Sequence, residues 1–479
     1  MILFYVVSDM GIIHAINAKQ TWYPDEEAIL ISRYVSGSSE ILIDNLCASG
    51  IFKQVLLMPF PVVSTREGIL KKSKILQAFH RHHQYEIYIK NYLDFYKLDF
   101  QISKMIVMHM ESFSIYVAEY FLKINPNLQI EFVEDGNASY LCTRKYLTSP
   151  MRWGLSRKAF WAKAIPEAFL RQRLKPHLTQ RLYLNFPDEY PPEMGFEDIK
   201  GIRACPECLT LMRKNGEAAD PRLVNIYNKM RIYYVANPLS FSEKSYTEVY
   251  SIIDAIVRVV GKDHLLIKTH SNSSSPHRQQ FGNQYKGSIF VDRNVNQFES
   301  LLTQVEELDH KIIITRSTSA LLNIKALLDK EPYVILTFRM FNWYYEMGDP
   351  GGDTYLEILR RIYKHPERIK APANHYELSR CIREIYGKLY GDENAQMDAI
   401  SRTDPGYLGV CVSSDRGDIL WNRNCADGIE TSEDTVFEAE TTERLIKLLS
   451  KAVAQYITNN DYAQLIERIG DPNANSPKG

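Results

Sequence analysis

MIVMHMESFSIYVAEYFLKINPNLQIEFVEDG, residues 105–136, is the stretch whose reading decides the fold. MIVMHM (105–110) and LQIEFV (128–133) are apolar runs of strand length, and SIYVAEYFLKI (114–124) between them has the apolar spacing of a helix. A strand, a helix and a second strand in succession argue a parallel, doubly wound sheet. The second strand ends on Glu134, Asp135 and Gly136. After a buried run, two carboxylates and a glycine form a solvated turn in the simplest reading. At the carboxyl edge of a parallel sheet, where ligands bind, the same residues can supply a catalytic base.

The alternation continues in both directions. ILFYVV (2–7) predicts a first strand followed by a helix near 12–19, QVLLMPF (54–60) another strand, and the amphipathic stretch 68–95 a helix. It stops over 137–187, which carries ten Lys or Arg residues and one acid, Glu167, with Trp153, Phe160, Trp161 and Phe169 interleaved. Residues 188–228, rich in proline and acids, read as a linker. The pattern then restarts with RIYYVA (231–236), a helix over 247–260, HLLIKTH (264–270), SIFV (288–291), a helix near 296–304, KIIIT (311–315), a helix over 319–328 and YVILTF (333–338). The expected fold class is therefore α/β, with two Rossmann-like, doubly wound domains (1–187 and 229–390) facing a cleft. A C-terminal extension, 391–479, follows. In it GYLGVCVSS and DILWN predict a hairpin around DRG, and 439–458 predicts a helix.

Composition bounds the function. The 479 residues are too many for one ordinary core, and 45% hydrophobic with 24% charged residues is globular. A net charge of −1 gives no global reason to expect nucleic acid as a partner. No apolar run reaches the roughly 18 residues of a membrane span, and MILFYVVSDMG lacks the basic start of a signal peptide. Seven scattered cysteines fit a reducing cytoplasm, the expected location. Cys205 and Cys208 form one CPEC with no second Cys or His pair at zinc-finger spacing, so no metal is expected there.

Three clusters end apolar runs: Glu134-Asp135-Gly136, Lys268-Thr269-His270 and Thr315-Arg316-Ser317-Thr318-Ser319. In parallel sheets each would project into the crevice. A carboxylate there can take the proton of an attacking hydroxyl. An imidazolium can stabilise or protonate a departing phosphate, and hydroxyls with N–H groups at the start of a helix can hold phosphate oxygens. These are the parts of group transfer from a nucleotide-activated donor. Each cluster also has a plainer reading: a turn, a satisfied strand-end histidine and an ordinary helix N-cap. Alternation along the strand favours Asp135 over Glu134 as the inward carboxylate.

The three motifs in this order resemble bacterial GT-B sialyltransferases of the lipooligosaccharide and polysialic acid groups. Those enzymes carry an acidic-acidic-Gly motif, then His-Pro, then Ser-Ser/Thr after a later strand. EDG at 134–136 and STS at 317–319 match; KTH at 268–270 is followed by Ser271 instead of proline. NPLS, Asn237 to Ser240, resembles the opening of their second domain, and VSDMGIIHAINA their first strand-loop-helix. The resemblance covers roughly residues 1–385.

It implies an inverting, metal-independent transferase using a CMP-activated nonulosonic acid, with a bacterial surface glycan as acceptor. Asp135 would be the general base and His270 the group assisting CMP departure. Lys268, Ser317, Thr318, Ser319, Asn237 and Pro238 would bind the donor, with Glu134 and Gly136 in support. A Kdo transferase using CMP-Kdo is the alternative, and a CDP-glycerol-type polyol-phosphate transferase or a silent nucleotide- or glycan-binding protein are the others. Such chemistry needs a base on one wall and phosphate donors on the other, with no nucleophile. The basic stretch, over 144–181, would then be a peripheral inner-membrane contact, a groove for an acidic glycan, or a solvated helix pair packed on the sheet edge.

Overall fold

The computed structural model describes residues 1–33, 38–59, 74–98, 101–148, 170–237, 243–270, 285, 289–292, 298–341 and 350–391, with three strand segments, 408–412, 419–423 and 435–437. The chain divides into two units, Met1–Ala373 and Asn374–Gly479. The larger unit holds two parallel sheets.

In the first sheet the strands are β1 (Ile2–Val6), β2 (Ala28–Arg33), β3 (Gln54–Met58), β4 (Lys104–Val107), β5 (Gln129–Val133), β6 (Leu178–Leu184) and β7 (Asp198–Gly201). Their order is β3-β2-β1-β4-β5-β6-β7, with every pairing parallel. The second sheet contains β8 (Ile232–Val235), β9 (Leu265–Lys268), β10 (Phe290–Asp292), β11 (Ile312–Thr315), β12 (Tyr333–Leu336) and β13 (Ile369–Lys370). Its order is β10-β9-β8-β11-β12-β13, also all parallel. Each sheet reverses direction of winding once, between β1 and β4 and between β8 and β11. Ligand crevices of doubly wound sheets form at such points.

The central strands are near-continuous runs of Ile, Leu, Val and aromatics because helices cover both faces. All five residues of β1 and all four of β8, β9, β11 and β12 are buried. Burying each such side chain contributes about 1.5–3 kcal/mol against the entropy of ordering the chain. The expected two-domain, GT-B-type α/β architecture is the one observed.

Several local expectations change. Helix Asp9–Trp22 is longer than expected and begins at an N-cap, where the Ser8 hydroxyl accepts the Gly11 amide at 3.0 Å. β2 is an additional strand. The segment expected as a linker, 188–228, contains β7 and the helices Pro206–Glu217 and Pro221–Lys229. β7 is an edge strand whose polar residues are tied into the sheet by Arg181–Asp198 and Lys200–Asp198 ion pairs.

In the basic stretch, residues 149–169, including Trp153, Phe160, Trp161 and Glu167, lie outside the described residues, as does Phe169. Its described arginines serve the protein itself. Arg171 donates to the carbonyls of Thr148 and Met110, Arg144 to those of Leu178 and Thr179, and Arg173 pairs with Glu119. Among the described residues no helix is long and apolar enough to cross a membrane.

In the smaller unit, helix His375–Tyr390 is followed by β14 (Leu408–Val412), β15 (Ile419–Arg423) and β16 (Thr435–Phe437), which form an antiparallel sheet. The β14–β15 pairing has the register of the expected hairpin, Val412 opposite Ile419. The helix expected at 439–458 lies outside the described residues.

Candidate functional site

The two sheets present their carboxyl edges to one another, and one close approach joins two of the sequence motifs. Gly136 has a φ of 57°, and a Cβ placed on it would lie 2.3 Å from the Ser319 Cβ and 2.6 Å from its Oγ. A glycine is required twice over, by its left-handed backbone and by the serine above it. The EDG turn after β5 and the STS run after β11 therefore face each other. Helix Pro350–Ile362 adds an Arg361–Glu189 ion pair of 2.5 Å between the halves, and Asn215 Nδ2 donates to Ser300 Oγ at 3.2 Å on another side.

On the first wall Asp135 is partly exposed and Glu134 is fully buried. The Asp135 amide donates to the Ser139 hydroxyl at 2.6 Å, which closes the turn. Its carboxylate oxygen Oδ2 lies 2.8 Å from Nδ1 of His109. His109 stands two residues beyond β4, and its carbonyl accepts from the Glu111 amide. Burial disfavours the charged imidazolium, but the hydrogen bond and charge of Asp135, helped by Glu111, raise the His109 pKa above its ordinary 6.5. With Nδ1 held by Asp135, Nε2 is the ring nitrogen left for other chemistry.

Glu134 faces the other way. Its Oε2 accepts from the Tyr140 hydroxyl (2.9 Å), the Asn185 amide (2.7 Å) and Asn185 Nδ2 (2.9 Å). Burial pushes its pKa up to about 7, partly offset by those donors. Asn185 Nδ2 also lies 3.3 Å from Nδ1 of His14, on the helix after β1. Burial pushes His14 down to about 4 against the charge of Asp135. Among the described residues His14 Nε2, Glu134 Oε1 and Asn185 Oδ1 find no hydrogen-bond partner.

The second wall differs. Asn237, just beyond β8, brackets Ser317: its Nδ2 donates to the Ser317 carbonyl, and its Oδ1 accepts the Ser317 amide at 3.3 Å and the Thr315 hydroxyl at 3.3 Å. The Tyr355 hydroxyl donates to the Thr318 carbonyl, and Thr318 Oγ1 accepts the Ala320 amide at 3.3 Å. Ser319 is the N-cap residue of helix Ala320–Leu328, yet its side chain makes no capping bond. Its hydroxyl lies against Gly136 instead. The loop is thus set by its backbone.

Lys268 is buried and forms a 3.6 Å ion pair with Asp292, which also accepts the Tyr227 hydroxyl at 2.8 Å. Burial, with the charge of Lys268, pushes His270 down to about 4, so this ring is neutral at neutral pH. Pro238 lies outside the described residues.

Of the three clusters singled out from sequence, EDG and STS are brought together at Gly136 and Ser319, and no described contact joins KTH to EDG. Among the described contacts Asp135 is hydrogen-bonded to His109 and has none to His270. His109, His14, Tyr140 and Asn185 were not singled out from sequence. The strand-end rule that selected EDG and KTH finds His109 once the strand of MIVMHM is ended at Val107. Among the described residues no group of three or more His, Cys, Asp or Glu side chains is placed to hold a metal ion.

These features define a two-domain Rossmann-like architecture of the GT-B type, with a titratable wall opposite an amide-and-hydroxyl wall. No family model matches the chain, and no curated protein matches it. Among solved structures it is similar to a putative UDP-N-acetylglucosamine 2-epimerase from Listeria monocytogenes (11% identity, 84% of this chain and 94% of that one, TM-score 0.45). It is also similar to the UDP-GlcNAc 2-epimerase from Methanocaldococcus jannaschii (12% identity, 94% and 100% covered, TM-score 0.42). A third is a UDP-glucosyltransferase from Polygonum tinctorium (12% identity, 84% and 93% covered, TM-score 0.42). The fold assignment rests on the strand orders and not on these distant likenesses.

Proposed function

We propose that the protein is a glycosyltransferase that moves sialic acid or a related nonulosonic acid from a CMP-activated donor to a hydroxyl of a bacterial surface glycan, with inversion and without a metal. The observation that carries the proposal is the apposition of Gly136 and Ser319, which sets Asp135 and His109 opposite the hydroxyls and helix start at 317–320. The first wall takes the acceptor and the second the donor phosphate.

Asp135 and His109 act as a unit. Nδ1–H of the ring donates to the Asp135 carboxylate, which fixes the tautomer and leaves Nε2 to accept the acceptor hydroxyl's proton. The role first assigned to Asp135 alone, that of base, is thereby shared: Asp135 orients and His109 takes the proton. Departure of CMP is well advanced when the acceptor attacks a tertiary anomeric carbon, so the proton moves late and a base of near-neutral pKa suffices.

On the donor wall Ser317, Thr318 and Ser319 offer hydroxyls and amides at the start of a nine-residue helix, where a phosphate is favoured. Asn237 and Lys268 are engaged with the protein's own groups and hold this wall in shape. His270 donates to the phosphate as a neutral ring, or takes up a proton when the dianion arrives. The acceptor glycan and any contact of 144–181 with the inner membrane follow from the same reading.

The test is a panel of nucleotide sugars with EDTA present: CMP-sialic acid, CMP-Kdo, CDP-glycerol and UDP-N-acetylglucosamine, each with and without a sialylated oligosaccharide acceptor. Release of CMP from CMP-sialic acid alone supports the reading. Release only from CMP-Kdo moves the sugar assignment to the rival, and turnover only of the UDP sugar, or none of any donor, sinks it.

A further inference from the structure

Cys205 and Cys208 lie outside both walls, and the glycosyl-transfer reading makes no use of them. The CPEC they bound opens the helix Pro206–Glu217 directly after β7 and its short exit loop. Cys205 is the N-cap, with φ −93° and ψ 156°, and its sulfur accepts the Cys208 amide at 3.3 Å. Pro206 at the first helical position fixes the turn without losing a donor. Both thiols are free; Cys205 is partly exposed and followed by exposed Pro206 and Glu207, whereas Cys208 is buried. The bond from the Cys208 amide folds the two-residue spacer back onto the Cys205 sulfur, so both thiols belong to one turn.

A second feature points to a charge on this pair. Asn17 is fully buried; its Oδ1 accepts the Cys205 amide at 3.1 Å, while its Nδ2 has no hydrogen-bond partner among the described residues. Its bond to the Cys205 amide holds Asn17 beside the pair, where it opposes the rise of the Cys208 pKa. An unused buried donor beside a thiol that must ionise for a second step is what a resolving cysteine requires. The hydrogen bond from Cys208, with the backbone amide adding to it, lowers the Cys205 pKa, and burial opposes this. The same bond, with burial, raises that of Cys208. The exposed sulfur is thus the nucleophile and the buried one the reserve. A structural metal does not account for the pair, because no third donor accompanies it among the described residues.

We propose that Cys205 and Cys208 are a thiol–disulfide exchange site, with Cys205 attacking and Cys208 resolving. The co-reactant is a disulfide, of a small thiol or of a protein. The Cys205 thiolate attacks one sulfur of that disulfide and releases the first thiolate, which takes a proton. Cys208 then loses its proton, attacks the Cys205 sulfur and expels the second thiol. Two electrons pass from the protein pair to the disulfide, one intramolecular S–S bond forms, and the co-reactant is released as two thiols. The helix that carries the pair also donates from Asn215 to Ser300 at 3.2 Å, in the second half of the larger unit.

The experiment uses the full chain. Reduced protein is incubated with glutathione disulfide at neutral pH, quenched with a maleimide and digested with trypsin. The peptide ACPECLTLMR, 204–213, carries both sulfurs. Exposed Cys47, whose thiol burial and Asp44 push up, serves as the internal control. The expected result is a peptide lighter by two hydrogens and unlabelled, formed before Cys47 is glutathionylated. Cys208→Ser should hold glutathione on Cys205, and Cys205→Ser, at the partly exposed position, should leave Cys208 maleimide-labelled under denaturing quench. A doubly labelled peptide after Cys47 has reacted would overturn the proposal. So would protection of both thiols by equimolar Zn²⁺, which would make the pair a metal site.

Discussion

The two carboxyl edges that meet at Gly136 and Ser319 are built from the same topology but carry opposite kinds of chemistry. Along the edge of the first sheet the side chains titrate: Asp135 and His109 are paired, and Glu134 and His14 sit buried behind them with unpartnered atoms. Along the second, Asn237, Tyr355 and Asp292 are spent on holding loop carbonyls, amides and the Lys268 ammonium. One wall keeps proton-transfer groups adjustable, and the other keeps donors rigid. That division suits the transfer we propose, which moves a proton on one side of a bond and stabilises a phosphate on the other.

The comparison breaks first at His109. If the first wall is the basic one, His109→Ala should lower kcat/KM by about 10²–10⁴-fold with donor binding little changed. Transfer assays with donor affinity measured separately check this; an active variant with a raised donor Kd would move His109 to the donor side.

The buried layer behind the dyad gives the next largest effect. Folded Glu134 keeps its proton to about pH 7, while a glutamate carboxyl in the unfolded chain ionises near 4.5. The stabilisation is therefore complete below pH 4.5 and lost as pH rises through about 7, on the order of 3 kcal/mol. Glu134→Gln retains an acceptor for Tyr140 and Asn185 and removes the ionisation. Urea midpoints should fall with pH across that range in the wild type and stay flatter in the variant; parallel curves would remove Glu134 from the account.

Gly136→Ala sharpens the contact itself. A left-handed backbone with a methyl group 2.3 Å from the Ser319 Cβ should cost about 1–3 kcal/mol of stability and separate the walls. Gly136→Ala with Ser319→Gly should recover part of the activity if the clash is what matters. The smallest effect is expected at Asn237→Ala, about 1 kcal/mol, because the half-exposed Ser317 groups can turn to water. It should appear as a higher donor KM with kcat preserved.

Much of this was legible in the sequence, and the omissions have physical causes. The buried central strands announce themselves as Ile-, Leu- and Val-rich runs, and ILFYVV, KIIIT and YVILTF all became strands. β6 and β7 did not: the first half of LTQRLYL is polar and half solvated although the strand is paired on both sides, and DIKG is an edge strand with the charges such strands use. EDG and STS were visible as strand ends, and their apposition depends on a glycine whose need appears only when the second domain is in place. His109 was hidden inside an apolar run, since MIVMHM reads as one strand until the β4 pairing stops at Val107. No local pattern marks Asn185 or Tyr140 as partners of Glu134; both reach it across the sheet or around the turn.

The dyad is tested most directly by the pH dependence of transfer from CMP-sialic acid in the wild type and in Asp135→Asn. The account predicts a wild-type kcat/KM that rises with pH through a midpoint above the ordinary histidine value of 6.5, since His109 must lose its proton to act. In Asp135→Asn the rate should drop and that midpoint should move to lower pH, because the charge that raises it is gone. An Asp135→Asn enzyme that keeps the wild-type midpoint, or a wild-type rate that does not change across this range, would contradict it.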